Sequence, residues 1–207
     1  MSGFGLFGGH WVGMVAEAYQ RANVYLSQEM TRDTLFGQRI LILGSPGSGK
    51  STFAGRLAHA LNIPVVHLDH LRWKPNWTLE QEHVFQWNLG HALKGSRWII
   101  DGNYSSTLSA RLAYADSAIV LDVPRWLCLW RAGRRFIQYR GRSRPSMAQG
   151  CPERLNWGFL LWIWSHPKRQ KETLAILHKH PHVHIVYLKP RDVSSFLGAI
   201  YSKFDAS

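Results

Sequence analysis

The chain has 207 residues, 45% of them hydrophobic, which is ample for one domain with attachments. Its apolar runs are short, Phe159 to Trp164 among them, so no transmembrane helix is expected. Two cysteines, Cys128 and Cys151, make neither a disulfide framework nor a zinc pattern and point to a reducing cytoplasm. The formal charge of +12, from 25 Lys+Arg against 13 Asp+Glu, suits polyanionic partners such as nucleotides, nucleic acid or an anionic membrane surface.

Residues 1–37 mix glycine with Phe4, Leu6, Phe7 and Trp11 and lack the basic start and continuous apolar core of a signal peptide. They are expected to form a loosely ordered extension. The folded domain is placed at 38–205. It opens on the run Arg39 to Leu43, which predicts a buried strand.

The stretch Gly44-Ser45-Pro46-Gly47-Ser48-Gly49-Lys50-Ser51 follows and fits G-x-x-x-x-G-K-[ST]. Gly44, Gly47 and Gly49 let the backbone take positive φ and curl around an anion. The N–H groups of the curl then point at phosphate oxygens, and the next helix adds its positive end. Lys50 is placed to reach the β- and γ-phosphates, and the Ser51 hydroxyl to ligate Mg²⁺. A helix is predicted from Lys50 to Leu61, with Phe53, Leu57 and Leu61 on one face.

A second strand is expected from Pro64 to Leu68, ending at Asp69. Residues 70–96 form an excursion carrying Trp73, Trp77 and Trp87. A third strand, Trp98 to Ile100, ends in Asp101-Gly102-Asn103-Tyr104, and a fourth runs from Ala118 to Val123. The next helix, Arg125 to Ile137, leads into Tyr139–Gly150, a polar glycine-bearing loop read as mobile. Between Asp122 and Glu153 there are seven arginines and no acid or lysine, which favours forked recognition of phosphate. Pro152 suits the first turn of a helix reaching about His166. A helix from Arg169 to His180, a fifth strand from Val183 to Leu188, and a helix from Asp192 to about Phe204 complete the pattern. Strands alternating with helices predict an α/β fold with a parallel sheet, whose ligands bind at the carboxyl ends of the strands. Asp69 and Asp101 both lie at such ends.

The domain resembles the topology-modulation proteins, a branch of the adenylate-kinase-like P-loop kinases. The matching residues are Gly44 to Thr52, His67-Leu68-Asp69 with Trp73-Lys74-Pro75, Trp98 to Tyr104, Asp122 to Trp126, and Tyr139 to Pro145 with Cys151 to Arg154. The resemblance implies a three-layer P-loop NTPase fold, nucleotide-kinase-like, with a five-stranded parallel sheet whose loop strand is flanked by the third and fourth strands. It implies ATP and Mg²⁺ as cofactors. Asp101 then becomes the ligand of Mg²⁺ through water, beside Ser51, and Asp69 an acceptor-binding group or base. Residues 70–96 become the acceptor segment, whose tryptophans can stack on a base or pack a lid. Arg131 and Arg135 match arginines aimed at the donor nucleotide, and residues 138–151, with Arg140, Arg142 and Arg144, match a short lid. Where adenylate kinase has an acceptor-gripping arginine after Asp-Gly, Asn103-Tyr104-Ser105-Ser106 stands here, so AMP does not carry over as acceptor.

The expected activity is transfer of the ATP γ-phosphoryl to a nucleotide, nucleoside or small hydroxylated acceptor. Loop positions 44–52 and Arg131 hold the nucleotide, and Lys50, Asp69, Asp101, Arg131, Arg135 and Arg142 carry the chemistry. Two rivals stay open: an ATP-gated protein with non-specific nucleic-acid binding, and a weak ATPase acting as a switch. No helix-turn-helix, zinc finger or other reader motif supports the first.

Overall fold

The computed structural model describes residues 37–154 and 156–204. Apart from Gly37, the expected N-terminal extension lies outside the described residues. The chain begins with strand β1 (Arg39–Gly44), helix α1 (Lys50–Leu61), strand β2 (Val65–His67) and the short helix α2 (Leu68–Arg72). A small antiparallel pair, β3 (Trp73–Lys74) and β4 (Thr78–Leu79), encloses a 3₁₀ turn at Pro75–Trp77. Then come α3 (Glu82–Leu93), β5 (Trp98–Asp101), α4 (Ser105–Leu112), β6 (Ser117–Leu121) and α5 (Arg125–Gln138). Helices α6 (Trp157–Trp164) and α7 (His166–Leu177), strand β7 (His184–Leu188) and helix α8 (Asp192–Phe204) finish the domain.

Strand β1 is a continuous apolar run because both of its faces are covered, as parallel central strands require. Ile40 and Ile42 point to one side, against Phe53 and Leu57 of α1 and Phe196 and Ile200 of α8. Leu41 and Leu43 point to the other, against Leu89 of α3, Leu108 and Leu112 of α4 and Leu177 of α7. These alternate residues divide the domain into three layers. The five-stranded sheet has the order β2-β5-β1-β6-β7, and its pairings are parallel. The loop strand β1 is therefore flanked by the third and fourth strands of the sheet, as expected. This is a three-layer α/β architecture with a parallel sheet. A third apolar cluster joins Cys128 and Ala132 of α5 to Ile163 of α6.

Three local expectations are corrected. The helix expected to open at Pro152 starts at Trp157, where the Asn156 carboxamide oxygen accepts from the Phe159 N–H at 2.7 Å. The residues before it are held extended by distant partners: Arg140 and Glu153 form a parallel bridge, and the Pro152 carbonyl accepts from the Trp77 indole at 2.9 Å. Helix α7 opens at His166 rather than Arg169, since Pro167 fits its first turn, where a missing N–H costs nothing. Strand β2 stops at His67, so Asp69 lies in the first turn of α2, near the positive helix end, rather than at a strand end.

The entry to β1 rests on one carboxylate. Asp116 Oδ2 accepts from the N–H groups of Gln38 and Arg39, both at 2.8 Å. Asp116→Ala is expected to destabilise the fold by about 1.5–3 kcal/mol, the range for hydrogen bonds to a charged acceptor. Urea unfolding measures this, with Asp116→Asn expected to fall between the two.

Candidate active site

The phosphate loop connects β1 to α1 through backbone that few residues tolerate. Gly47 has φ 80° and Gly49 φ 91°. A Cβ on Gly47 would sit 2.3 Å from the Cys128 carbonyl oxygen, so helix α5 packs directly on the loop backbone. Arg131, one turn further along α5, donates to the Ser48 carbonyl at 2.8 Å. The loop borders an open cavity of about 1570 Å³, and its lining includes Pro46 to Thr52, Arg131 and Arg134. This exceeds the roughly 300–1,000 Å³ usual for one ligand and leaves room for two substrates.

Asp101 reaches the loop because β5 lies beside β1 with Asp101 opposite Ile42. Its carboxylate is nearly buried and bonds the His67 ring at Nδ1, 2.9 Å away. Burial pushes the Asp101 carboxyl up. The His67 bond, the Lys50 charge and the Ser51 hydroxyl outweigh this and hold it below the ordinary carboxylate range. Asp101 Oδ1 is buried without a hydrogen-bond partner. A buried orphan carboxylate oxygen near the Ser51 hydroxyl is the oxygen donor set a hydrated hard cation takes, so the residues present fit Mg²⁺. Among the described residues no group of three or more His, Cys, Asp or Glu side chains forms a separate metal cluster.

Two residues given no role by sequence reasoning hold this corner. Asn103 clamps Gly44, accepting from its N–H at 3.1 Å and donating to its carbonyl at 2.8 Å. Arg111 is fully buried and donates to the carbonyls of Gly102 at 2.8 Å, Asn103 at 2.5 Å and Tyr104 at 3.0 Å. Burial brings its guanidinium down to about 9, opposed by Asp101. The signal for Arg111 was weak, since a single buried arginine leaves no periodic trace. His67 was legible only through the pairing that sets it opposite Asp101.

The far end of the cavity is crossed by a chain of polar side chains. The Tyr104 hydroxyl donates to Asp69 Oδ1 at 2.7 Å, and Arg144 to Asp69 Oδ2 at 2.9 Å. Glu153 lies 3.9 Å from Arg144 and accepts from Arg135 Nε at 2.7 Å. Burial pushes the Tyr104 phenol up, with the Asp69 charge adding to it. Burial, with the Arg144 charge, brings Arg135 down against the pull of Glu153. Trp73 and Trp77 wall this end, their rings in an edge-to-face pair 5.4 Å apart. Arg140 and Arg142 are exposed and outside the cavity lining, whereas Arg144 lies inside it. Trp87 is 71% exposed on α3 and away from the cavity.

The segment 139–150 does not hang free. Asn76 N–H donates to the Gly150 carbonyl at 2.8 Å, Cys151 Sγ–H to the Lys74 carbonyl at 3.1 Å, and His70 Nε2 bonds the Pro145 carbonyl at 2.9 Å. Trp77 takes a left-handed φ of 60°, a conformation costing a bulky residue about 1–3 kcal/mol. Its indole bond to Pro152 helps to hold it there.

His166 is buried beside Asn103, whose Nδ2 stands 3.3 Å from His166 Nε2. Burial, with the charges of Arg169 and Lys50, brings the imidazole down from 6.5 to about 4. The unfolded chain thus binds a proton there before the folded one does. Stability from this group is present above pH 6.5 and is lost as pH falls from about 6.5 towards 4. Urea midpoints are expected to drop across that window, and to drop less in His166→Gln.

No protein-family model matches the chain, and no curated protein matches it. Solved structures do. A gluconokinase from Sinorhizobium meliloti 1021 aligns at 17% identity and TM-score 0.48, covering 83% of this chain and 95% of that one. A shikimate kinase from Bacteroides thetaiotaomicron aligns at 14% identity and TM-score 0.47, covering 81% and 98%. A shikimate kinase from Aquifex aeolicus vf5 aligns at 14% and 0.44, covering 81% and 96%. Among the described residues no helix is long and apolar enough to cross a membrane.

Proposed function

We propose that this chain is an ATP-dependent phosphotransferase acting on a small hydroxylated acceptor, related to the topology-modulation branch of adenylate-kinase-like enzymes. One observation carries the reading. A single cavity is lined both by a phosphate loop with Lys50 and by a second group, the Asp69 carboxylate bonded to Arg144 together with Trp73 and Trp77. A site that only hydrolysed ATP would not need the second group.

The acceptor oxygen attacks the γ-phosphorus, the bond to the β,γ-bridging oxygen breaks, and ADP leaves. Catalysis of such a transfer is mostly positioning and neutralisation of charge on the transferred group. The N–H groups of Gly47 to Lys50 hold the β-phosphate. Lys50 supplies the fixed cation, and Arg131, anchored on Ser48, keeps the loop and α5 in register. Arg134 also lines the cavity. Ser51, and Asp101 through water, would hold Mg²⁺, which would supply neutralisation of phosphate charge. Asp69 orients the acceptor hydroxyl and takes its proton within hydrogen-bond reach. The 139–150 segment, with Arg144, Pro145 and Met147 in the cavity lining, walls the Asp69 side and excludes water from it.

Purified protein with Mg²⁺ and γ-labelled ATP, tested against nucleosides, nucleoside monophosphates and hydroxylated metabolites with a no-acceptor control, decides the matter. Label on one acceptor class supports the reading; label released only as free phosphate sinks it in favour of a switch ATPase. Lys50→Ala is expected to abolish transfer. Asp101→Asn is expected to raise the Mg²⁺ concentration required for turnover more than Asp69→Asn does, and the reverse order would exchange their roles.

A further inference from the structure

The two ends of the cavity differ in how their charges are matched. At the loop end, Arg131 spends its hydrogen bond on the Ser48 carbonyl and Arg134 stacks on the Trp130 ring, its Cζ 5.7 Å from the centroid. Among the described residues neither cation has a carboxylate contact, and that end is suited to a polyphosphate. At the acceptor end each inward guanidinium meets a carboxylate. Arg144 pairs with Asp69 at 2.9 Å and Arg135 with Glu153 at 2.6 Å. The charges of these two inward pairs cancel, and Arg154, exposed where it lines the cavity over the Trp77 ring, is a further cation of this end.

Building on the phosphotransferase reading, we infer that the acceptor is an uncharged polyhydroxylated molecule, a sugar, polyol or nucleoside, and not a phosphate ester or nucleotide. A phosphate dianion could use Arg144 only by drawing it from Asp69, which would leave that carboxylate facing the incoming negative charge. Arg135 is still less available, because Glu153, 5% exposed at its side chain, shares an oxygen with two of its nitrogens. Breaking a buried pair strands the remaining charge. Neutral hydroxyls meet no such conflict. Each Asp69 oxygen uses one acceptor position, on Tyr104 or Arg144, and keeps capacity for another donor. The Trp73 and Trp77 rings give the apolar wall against which a sugar's C–H face packs. Arg154 also lines the cavity, over the Trp77 ring at 5.9 Å, but it is exposed to water and offers an anion a single screened cation.

The direct test is calorimetric titration of inorganic phosphate into the full chain loaded with Mg²⁺ and β,γ-imido ATP, at physiological salt. No phosphate site is expected in the wild type. The double variant Asp69→Asn/Glu153→Gln, which frees both guanidiniums, is expected to gain one, with affinity roughly tenfold or more above the wild type. Phosphate binding in the loaded wild type that disappears in Arg144→Gln, Arg135→Gln or Arg154→Gln would overturn the inference, and this measurement needs no folded double variant. Transfer assays on matched pairs, each nucleoside with its 5′-monophosphate and each sugar with its phosphate, read the same property. The neutral member is expected to have at least about tenfold higher kcat/KM, and preference for the phosphorylated member would also overturn it. If no compound is labelled at all, phosphotransfer itself fails, while the titration still decides which charge this end of the cavity accepts.

Discussion

The register between β1 and β5 is the constraint on which the site depends. With Ile42 opposite Asp101, the carboxylate emerges beside the phosphate loop, while Ile99 and Ile100 before it go to the two apolar faces. A slip of one residue would turn the strand over and drive Asp101 into an apolar layer. The turns after the two strands are tied together as well, by the paired hydrogen bonds between Asn103 and Gly44. Arg111 then fixes the carbonyls of the second turn from beneath. Burying that guanidinium is costly, and the gain is a rigid corner in which Asp101, Lys50 and Ser51 keep their spacing.

Charge is used in two ways across the molecule. The excess of +12 sets a long-range attraction for anions. Inside the cavity, alternating signs along Arg135, Glu153, Arg144 and Asp69 act at short range and are closed off by the Tyr104 hydroxyl. This row joins α5, the segment after it and the start of α2, three pieces with no shared backbone ladder. Net charge read from composition therefore says little about the polarity of one particular corner.

Much of the layout was legible in the sequence because it is locally encoded. The loop needs glycine at fixed positions to reach positive φ, and β1 needs an unbroken apolar run because both faces are covered. What was not legible depends on partners far along the chain. Pro152 has the local signature of a helix start, yet the Trp77 indole, 75 residues earlier, holds its carbonyl in an extended segment. His67 acquires a partner only through parallel pairing with β5, 34 residues away. The choice among Arg140, Arg142 and Arg144 has no periodic signal, since an irregular loop does not fix which side chains face inward. Only Arg144 of the three lines the cavity.

The bonds that hold segment 139–150 to the residues around Pro75 have a mechanical consequence. Contacts at Asn76, Lys74, His70 and Trp77 rivet the two stretches into one plate, with the Gly150 backbone pressed so near Pro75 that a Cβ there would approach within 2.8 Å. A plate of this kind cannot swing like a flap hinged on one side. Unless the rivets shear, both stretches travel together, so Trp73 and Trp77 on one and Arg144 on the other keep their relative positions.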